Sequence, residues 1–119
     1  MRRNRAKAYR SGLFAEALAG LLLRLKGHRI IAQRYKTPVG EIDLIALKGK
    51  RLAFIEVKRR KSFEDAAWTL PTRARRRIVR AAQYWLSSHP AFNGHDMSFD
   101  VVLTSPWGWP RYLENAFPV

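Results

Sequence analysis

The chain has 119 residues, with 23 Lys and Arg against 9 Asp and Glu and no Cys, for a net charge of +14. That length fits one domain spanning residues 1–119, and a hydrophobic share of 47% excludes wholesale disorder. The absence of Cys excludes a disulfide scaffold, a Cys-based zinc site, an iron–sulfur cluster and a thiol nucleophile.

Arg2, Arg3, Arg5 and Lys7 make residues 1–9 a basic arm, either tracking a polyanion or disordered. The segment Tyr9–Lys26 reads as a helix with Phe14, Leu18, Leu21, Leu22 and Leu25 as its apolar stripe, Ser11 as a cap and Gly27 as its stop. Basic residues ahead of a Leu-rich run resemble a leader peptide. Against that, Glu16 interrupts the run, and Arg24 and Lys26 follow it where a cleavage site would need small residues. Strands are predicted at Arg29–Tyr35, at Glu41–Leu47 after a Pro38–Gly40 turn, and at Leu52–Lys58 after a turn through Gly49 and Lys50. A second helix covers Pro71–Ser88, with Ile78, Val79, Ala82, Trp85 and Leu86 inward. Ser98–Thr104 reads as a buried strand. Trp109–Phe117 is a weaker strand, because Pro106 and Pro110 restrict it. This order predicts an α/β fold, a small mixed β-sheet flanked by helices. No apolar run approaches the roughly 20 residues of a membrane span. With no Cys and no convincing leader, a cytoplasmic location is expected.

A charge of +14 on so small a domain attracts polyanions, nucleic acid foremost, ahead of anionic membranes and acidic proteins. Lys58, Arg59, Arg60 and Lys61 run off the end of the third strand. Arg73, Arg76, Arg77 and Arg80 recur at three- and four-residue steps and form one stripe on the second helix. Such a stripe repels itself unless it faces something like a phosphate backbone.

Acids are few, so their positions are informative. Asp43 and Glu56 interrupt the apolar runs IDLIA and AFIEVK, where a carboxylate without a partner is costly. A two-residue turn at Gly49–Lys50 pairs Lys48 with Arg51, and the same register sets Asp43 opposite Glu56 and Glu41 opposite Lys58. Asp43, Glu56 and Lys58 then share a strand face, with opposed Cβ atoms about 5 Å apart. Two carboxylates that close repel unless a cation lies between them. Oxygen-only ligands suit Mg²⁺ or Mn²⁺. This pattern points to metal-assisted phosphodiester chemistry, with Lys58 orienting water or stabilising the charge that builds on the phosphate. Glu16 adds a third carboxylate if the first helix packs on that face. The competing reading is an inert Asp/Glu/Lys network on an exposed sheet.

Gly-Glu-Ile-Asp-Leu-Ile-Ala at Gly40–Ala46, followed by Phe-Ile-Glu-Val-Lys-Arg-Arg at Phe54–Arg60, resembles the PD-(D/E)xK nuclease superfamily. With Gly-x-x-Ala-Glu at Gly12–Glu16, the chain is similar, more narrowly, to the YraN-like family of small bacterial proteins. The resemblance runs from Gly12 to about Leu103. It implies a restriction-endonuclease-like fold close to archaeal Holliday junction resolvases, and a homodimer. It implies Asp43 and Glu56 as metal ligands, Lys58 as the catalytic lysine and Glu16 as the additional carboxylate. Glu41 matches a family position, and Gln83 falls where related nucleases carry a polar residue. The superfamily's Pro ahead of the Asp is replaced by Ile42, and Gln33–Arg34–Tyr35 stands where an Asn is common.

The expectation is therefore a Mg²⁺- or Mn²⁺-dependent endonuclease acting on nucleic acid, with DNA favoured over RNA and structured or branched DNA implied by the resemblance. Two other readings stand beside it: a non-catalytic nucleic-acid-binding module on the same fold, and a basic assembly protein that binds structured RNA. Trp107, Trp109 and Tyr112 offer base stacking, though such residues more often pack in a core or along an edge. Asn93 and His95 echo an HNH nuclease only faintly, and neither a Gly-rich phosphate loop nor a supported Ser–His–Asp set is present.

Overall fold

The computed structural model describes residues 2–60, 70–106 and 108–117, with side chains described from residue 12 onward. Helix α1 spans Arg2–Leu25, followed by β1 (Arg29–Thr37), β2 (Gly40–Lys48), β3 (Arg51–Arg59), α2 (Thr72–Ser87), β4 (Asp96–Ser105) and β5 (Gly108–Leu113). A 3-10 turn at Pro90–Phe92 follows α2. The strands form one sheet in the order β1-β2-β3-β4-β5. All neighbours are antiparallel except β3 and β4, which run parallel across the connection that contains α2. The fold is thus α/β with a mixed sheet, as its sequence predicts.

Side-chain alternation explains the two layers. Leu52 and Phe54 of β3 pack with Ile78, Ala82 and Trp85 of α2, whereas Ala53 and Ile55 pack with Ala19, Leu22 and Leu23 of α1. A helix therefore covers each face of the sheet. Among the described residues, no helix is long and apolar enough to cross a membrane.

Helix α1 departs from its prediction twice. It begins at Arg2, so most of the expected basic arm is helical and Ser11 lies within the helix rather than capping it. It also presents a different face. Ala15, Ala19, Leu22 and Leu23 are buried, while Phe14 is 70% and Leu25 68% exposed. Small alanines let the helix lie close on the sheet, and close packing outweighs the larger side chains that periodicity favoured. The helix ends as expected. Gly27 takes φ +94°, and its N–H and that of His28 close on the carbonyls of Arg24 and Leu23.

The β2–β3 register is the predicted one, with Lys48 opposite Arg51 and Ile45 opposite Phe54, turned by Gly49 at φ +60°. At the other end of β2, Gly40 touches α2. A Cβ there would lie 2.1 Å from the carbonyl oxygen of Arg77, so only glycine allows this approach. The proline of β5 sits on an edge strand, where its missing N–H breaks no interior ladder.

Candidate metal centre and basic groove

Alternation along β2 breaks at Asp43. Gly40 and Ile42 face α2, and so does Ile45, whereas Leu44 packs under α1. In an unbroken strand Ile42 and Ile45 would lie on opposite faces. Strand β1 yields at the same level. Arg34, across from Asp43 between the pairs Gln33–Leu44 and Tyr35–Ile42, holds φ +51°. Both strands turn over there, and β2 leaves β3, since their last paired positions are Leu44 and Ile55. The expected Asp43–Glu56 ladder pair is therefore replaced by an opened strand end.

Asp43 fills that opening. Its Oδ2 accepts the backbone N–H of Val57 at 2.8 Å, standing in for a strand partner that has moved away. The Glu56 carboxyl lies near enough for each acid to bear on the other's ionisation. Lys58 Nζ lies 3.2 Å from Glu56 Oε1. Burial first, and the Asp43 charge second, push Glu56 up to about 7, against the pull of Lys58. Burial raises Asp43 too, while the Val57 N–H, Glu56 and Lys58 draw it down. Two carboxyls this close resist ionising together, and Glu56 is the one pushed up the more clearly. A divalent cation can replace the proton on Glu56, and two carboxylate oxygens plus waters suit Mg²⁺ or Mn²⁺.

Glu16 stands apart from this pair. Arg34 Nε holds its Oε2 at 3.0 Å. Among the described residues no three carboxylate or imidazole side chains are gathered as a metal-binding group. Glu16 is nonetheless close: burial and then the Asp43 charge hold it above its ordinary value despite Arg34. A pocket of about 260 Å³ is lined by Glu16, Arg34, Lys36, Glu41, Ile42 and Asp43. Glu41 is exposed at its rim, opposite Lys36 in the β1–β2 ladder.

The arginine stripe is real. Arg73, Arg76, Arg77 and Arg80 are exposed on α2 and, with Thr72, Pro38 and Val39, line a groove of about 800 Å³. The β1–β2 turn that forms its other wall is fixed by Thr37 Oγ1, which accepts the N–H groups of Val39 and Gly40 and donates to the Gly40 carbonyl. Arg59 is exposed at the end of β3, and Arg60 donates to its carbonyl at 2.9 Å. Lys61 and Trp107 lie outside the described residues. Gln83 is exposed on α2 and does not line the carboxylate pocket.

Tyr112 does not serve as a stacking platform. It belongs with Asp100, which the sequence reading passed over. Asp100 is fully buried and takes Arg51 Nη2 at 3.3 Å to each oxygen, the Asn115 N–H at 2.9 Å, and the Tyr112 hydroxyl. Arg51 also reaches Ser98 Oγ and Glu114. Burial and the bond to Asp100 push the Tyr112 phenol far above its ordinary value. This network is fully partnered. Among the described residues no buried side-chain polar atom lacks a partner. Asp100 carried the same signal as Asp43, an acid inside an apolar run. Its partners are scattered along the chain, so no hairpin arithmetic could collect them.

The comparisons with known proteins agree with one another. The family model described as "Uncharacterised protein family UPF0102" matches residues 15–104. A UPF0102 protein of Parvibaculum lavamentivorans is 53% identical over 110 residues, covering 92% of this chain and 83% of its own length. One from Bradyrhizobium is 50% identical over 113 residues, covering 95% and 80%. One from Sinorhizobium medicae is 47% identical over 111 residues, covering 93% and 91%.

Proposed function

The chain belongs to the uncharacterised protein family UPF0102, the YraN-like family, and from that premise we propose that it is a metal-dependent endonuclease of the PD-(D/E)xK superfamily. Its substrate on this reading is nucleic acid, structured or branched DNA first, met in the cytoplasm, and its working form is a dimer. The observation that carries the reading is the pair of carboxyls at the opened end of β2, Asp43 on the Val57 N–H at 2.8 Å and Glu56 with Lys58 at 3.2 Å. A merely structural acid would be expected to have its charge compensated, as Asp100 has. At Asp43 and Glu56 one ammonium, Lys58, stands against two carboxyls, and a bound cation would offset the second.

Asp43 and Glu56 would hold the ion, which supplies charge neutralisation at a phosphate oxygen and a more acidic water. Lys58 orients the attacking water and offsets the negative charge that grows on the phosphate. The arginines of α2 and the basic end of β3 hold the backbone, a role supported by the groove and by the net charge of +14.

Because Glu56 holds its proton up to about 7, ion and proton compete for one site. Affinity for Mg²⁺ or Mn²⁺ rises about tenfold per pH unit below that value and levels off above it, with about one proton released on binding. Calorimetry in buffers of different ionisation enthalpy reads both quantities. A pH-independent affinity between pH 5.5 and 8 would contradict the proton held on Glu56.

The experiment that tests the function is cleavage of labelled junction, flap, single-stranded, duplex and structured RNA substrates with Mg²⁺ or Mn²⁺. Asp43→Asn protein runs beside the wild type. Cuts that require metal and vanish in the variant establish the nuclease and name its substrate class. Salt-sensitive binding that survives loss of Asp43 and Glu56, with no cuts under any metal, establishes the binding module instead. Binding confined to structured RNA would point to the assembly role.

A further inference from the structure

Arg34 has no part in the chemistry described so far, yet the chain strains its backbone to place it. A side chain other than glycine at φ +51° is held against its preference, and such strain persists where the surroundings impose it. Arg34 stands across from Asp43, where β1 and β2 both turn over, and it lines the same pocket as Asp43, Glu41 and Glu16. Its side chain is 41% exposed, and that of the Glu16 it meets is 23% exposed. An ion pair this accessible to water is weak and exchangeable. A phosphodiester oxygen entering the pocket is a strong competitor for the guanidinium, which matches phosphate geometry. Glu16, once released, would face Asp43 across the pocket, and only a cation makes that proximity favourable.

We infer that Arg34 is an exchangeable latch: it holds Glu16 while the protein is free, and it passes to a backbone phosphate of bound nucleic acid, releasing Glu16 to join Asp43 and Glu56 around a divalent ion. This rests on the nuclease reading and adds regulation to it. The ion is gripped by three carboxylates only when nucleic acid is present. Linkage makes the effect mutual, so ion and nucleic acid tighten each other's binding. The latch also accounts for Glu16 lying close to Asp43 while remaining outside any metal-binding group.

Mn²⁺ binding measured by electron paramagnetic resonance, with and without a short phosphorothioate DNA that resists cleavage, tests this. Asp43→Asn protein serves as the blank for ions held by the DNA alone. Wild-type protein should gain about tenfold in Mn²⁺ affinity when the DNA is present. Arg34→Gln should bind Mn²⁺ about fivefold more tightly than wild type without DNA, and gain less than about twofold from it. Arg34→Gly, which accepts the positive φ, should behave the same way and guards against a folding defect. If both variants keep the full wild-type gain, Arg34 is structural and the latch is overturned while the metal centre stands. If wild-type protein binds no Mn²⁺ above the blank in either condition, the nuclease reading itself falls.

Discussion

Lys58→Ala protein is expected to bind nucleic acid as the wild type does and to cut it about a hundred- to a thousandfold more slowly. The ammonium sits 3.2 Å from Glu56 on a side chain about a third exposed, near enough to the carboxylates to meet a phosphate held there. It is one cation among many. The arginines of the α2 groove and the end of β3 carry the long-range attraction, and losing one charge in such a field changes affinity little. A positioned charge acting on the transition state is worth far more than the same charge in general attraction. Single-turnover cleavage beside a salt-dependence series separates the two effects. An inert surface network predicts otherwise: a partly exposed ion pair lost at a cost of about 1 kcal/mol or less, with no change in any rate.

The second large effect concerns stability, and it sets the two buried acids apart. Asp100→Ala should destabilise the protein by about 3 kcal/mol, lowering Tm by roughly 10 °C. The substitution strips Arg51, the Tyr112 hydroxyl and the Asn115 N–H of their acceptor at once. Asp100 itself is fully buried, so water replaces the lost acceptor poorly at its position. Asp43→Asn should leave Tm unchanged or raise it. The amide oxygen can still accept the Val57 N–H, and the charge that opposes ionisation of Glu56 disappears. Thermal melts of both variants without metal make the comparison. Equal losses of stability would mean that Asp43, like Asp100, is there to hold the fold.

Much of this was legible in the residues. The strands announced themselves through apolar alternation and through glycines at the turns. The two-residue turn at Gly49 set the register that brings Asp43, Glu56 and Lys58 to one place. What was not legible depends on three-dimensional fit. Periodicity counts Phe14 and Leu25 as core, but the alanine face of α1 packs closer to the sheet. The turnover of β1 and β2 at Arg34 and Asp43 has no glycine to mark it. The Arg34–Glu16 pair joins a helix to a strand, and the Asp100 network joins β3 and β4 to β5 and the turn after it. No local pattern encodes such pairings.

Asp43, Glu56 and Lys58 all belong to a single hairpin, Gly40–Arg59, that closes through a two-residue turn. Such hairpins form on the microsecond scale. The parallel β3–β4 ladder must wait for the whole connection containing α2, a long loop to close. As the chain folds, Asp43 and Glu56 therefore meet first in water as ordinary acids. The burial that raises both of them arrives last, with β4 and the helices. The completed domain thus raises the proton affinity of a pair of groups the hairpin had already assembled.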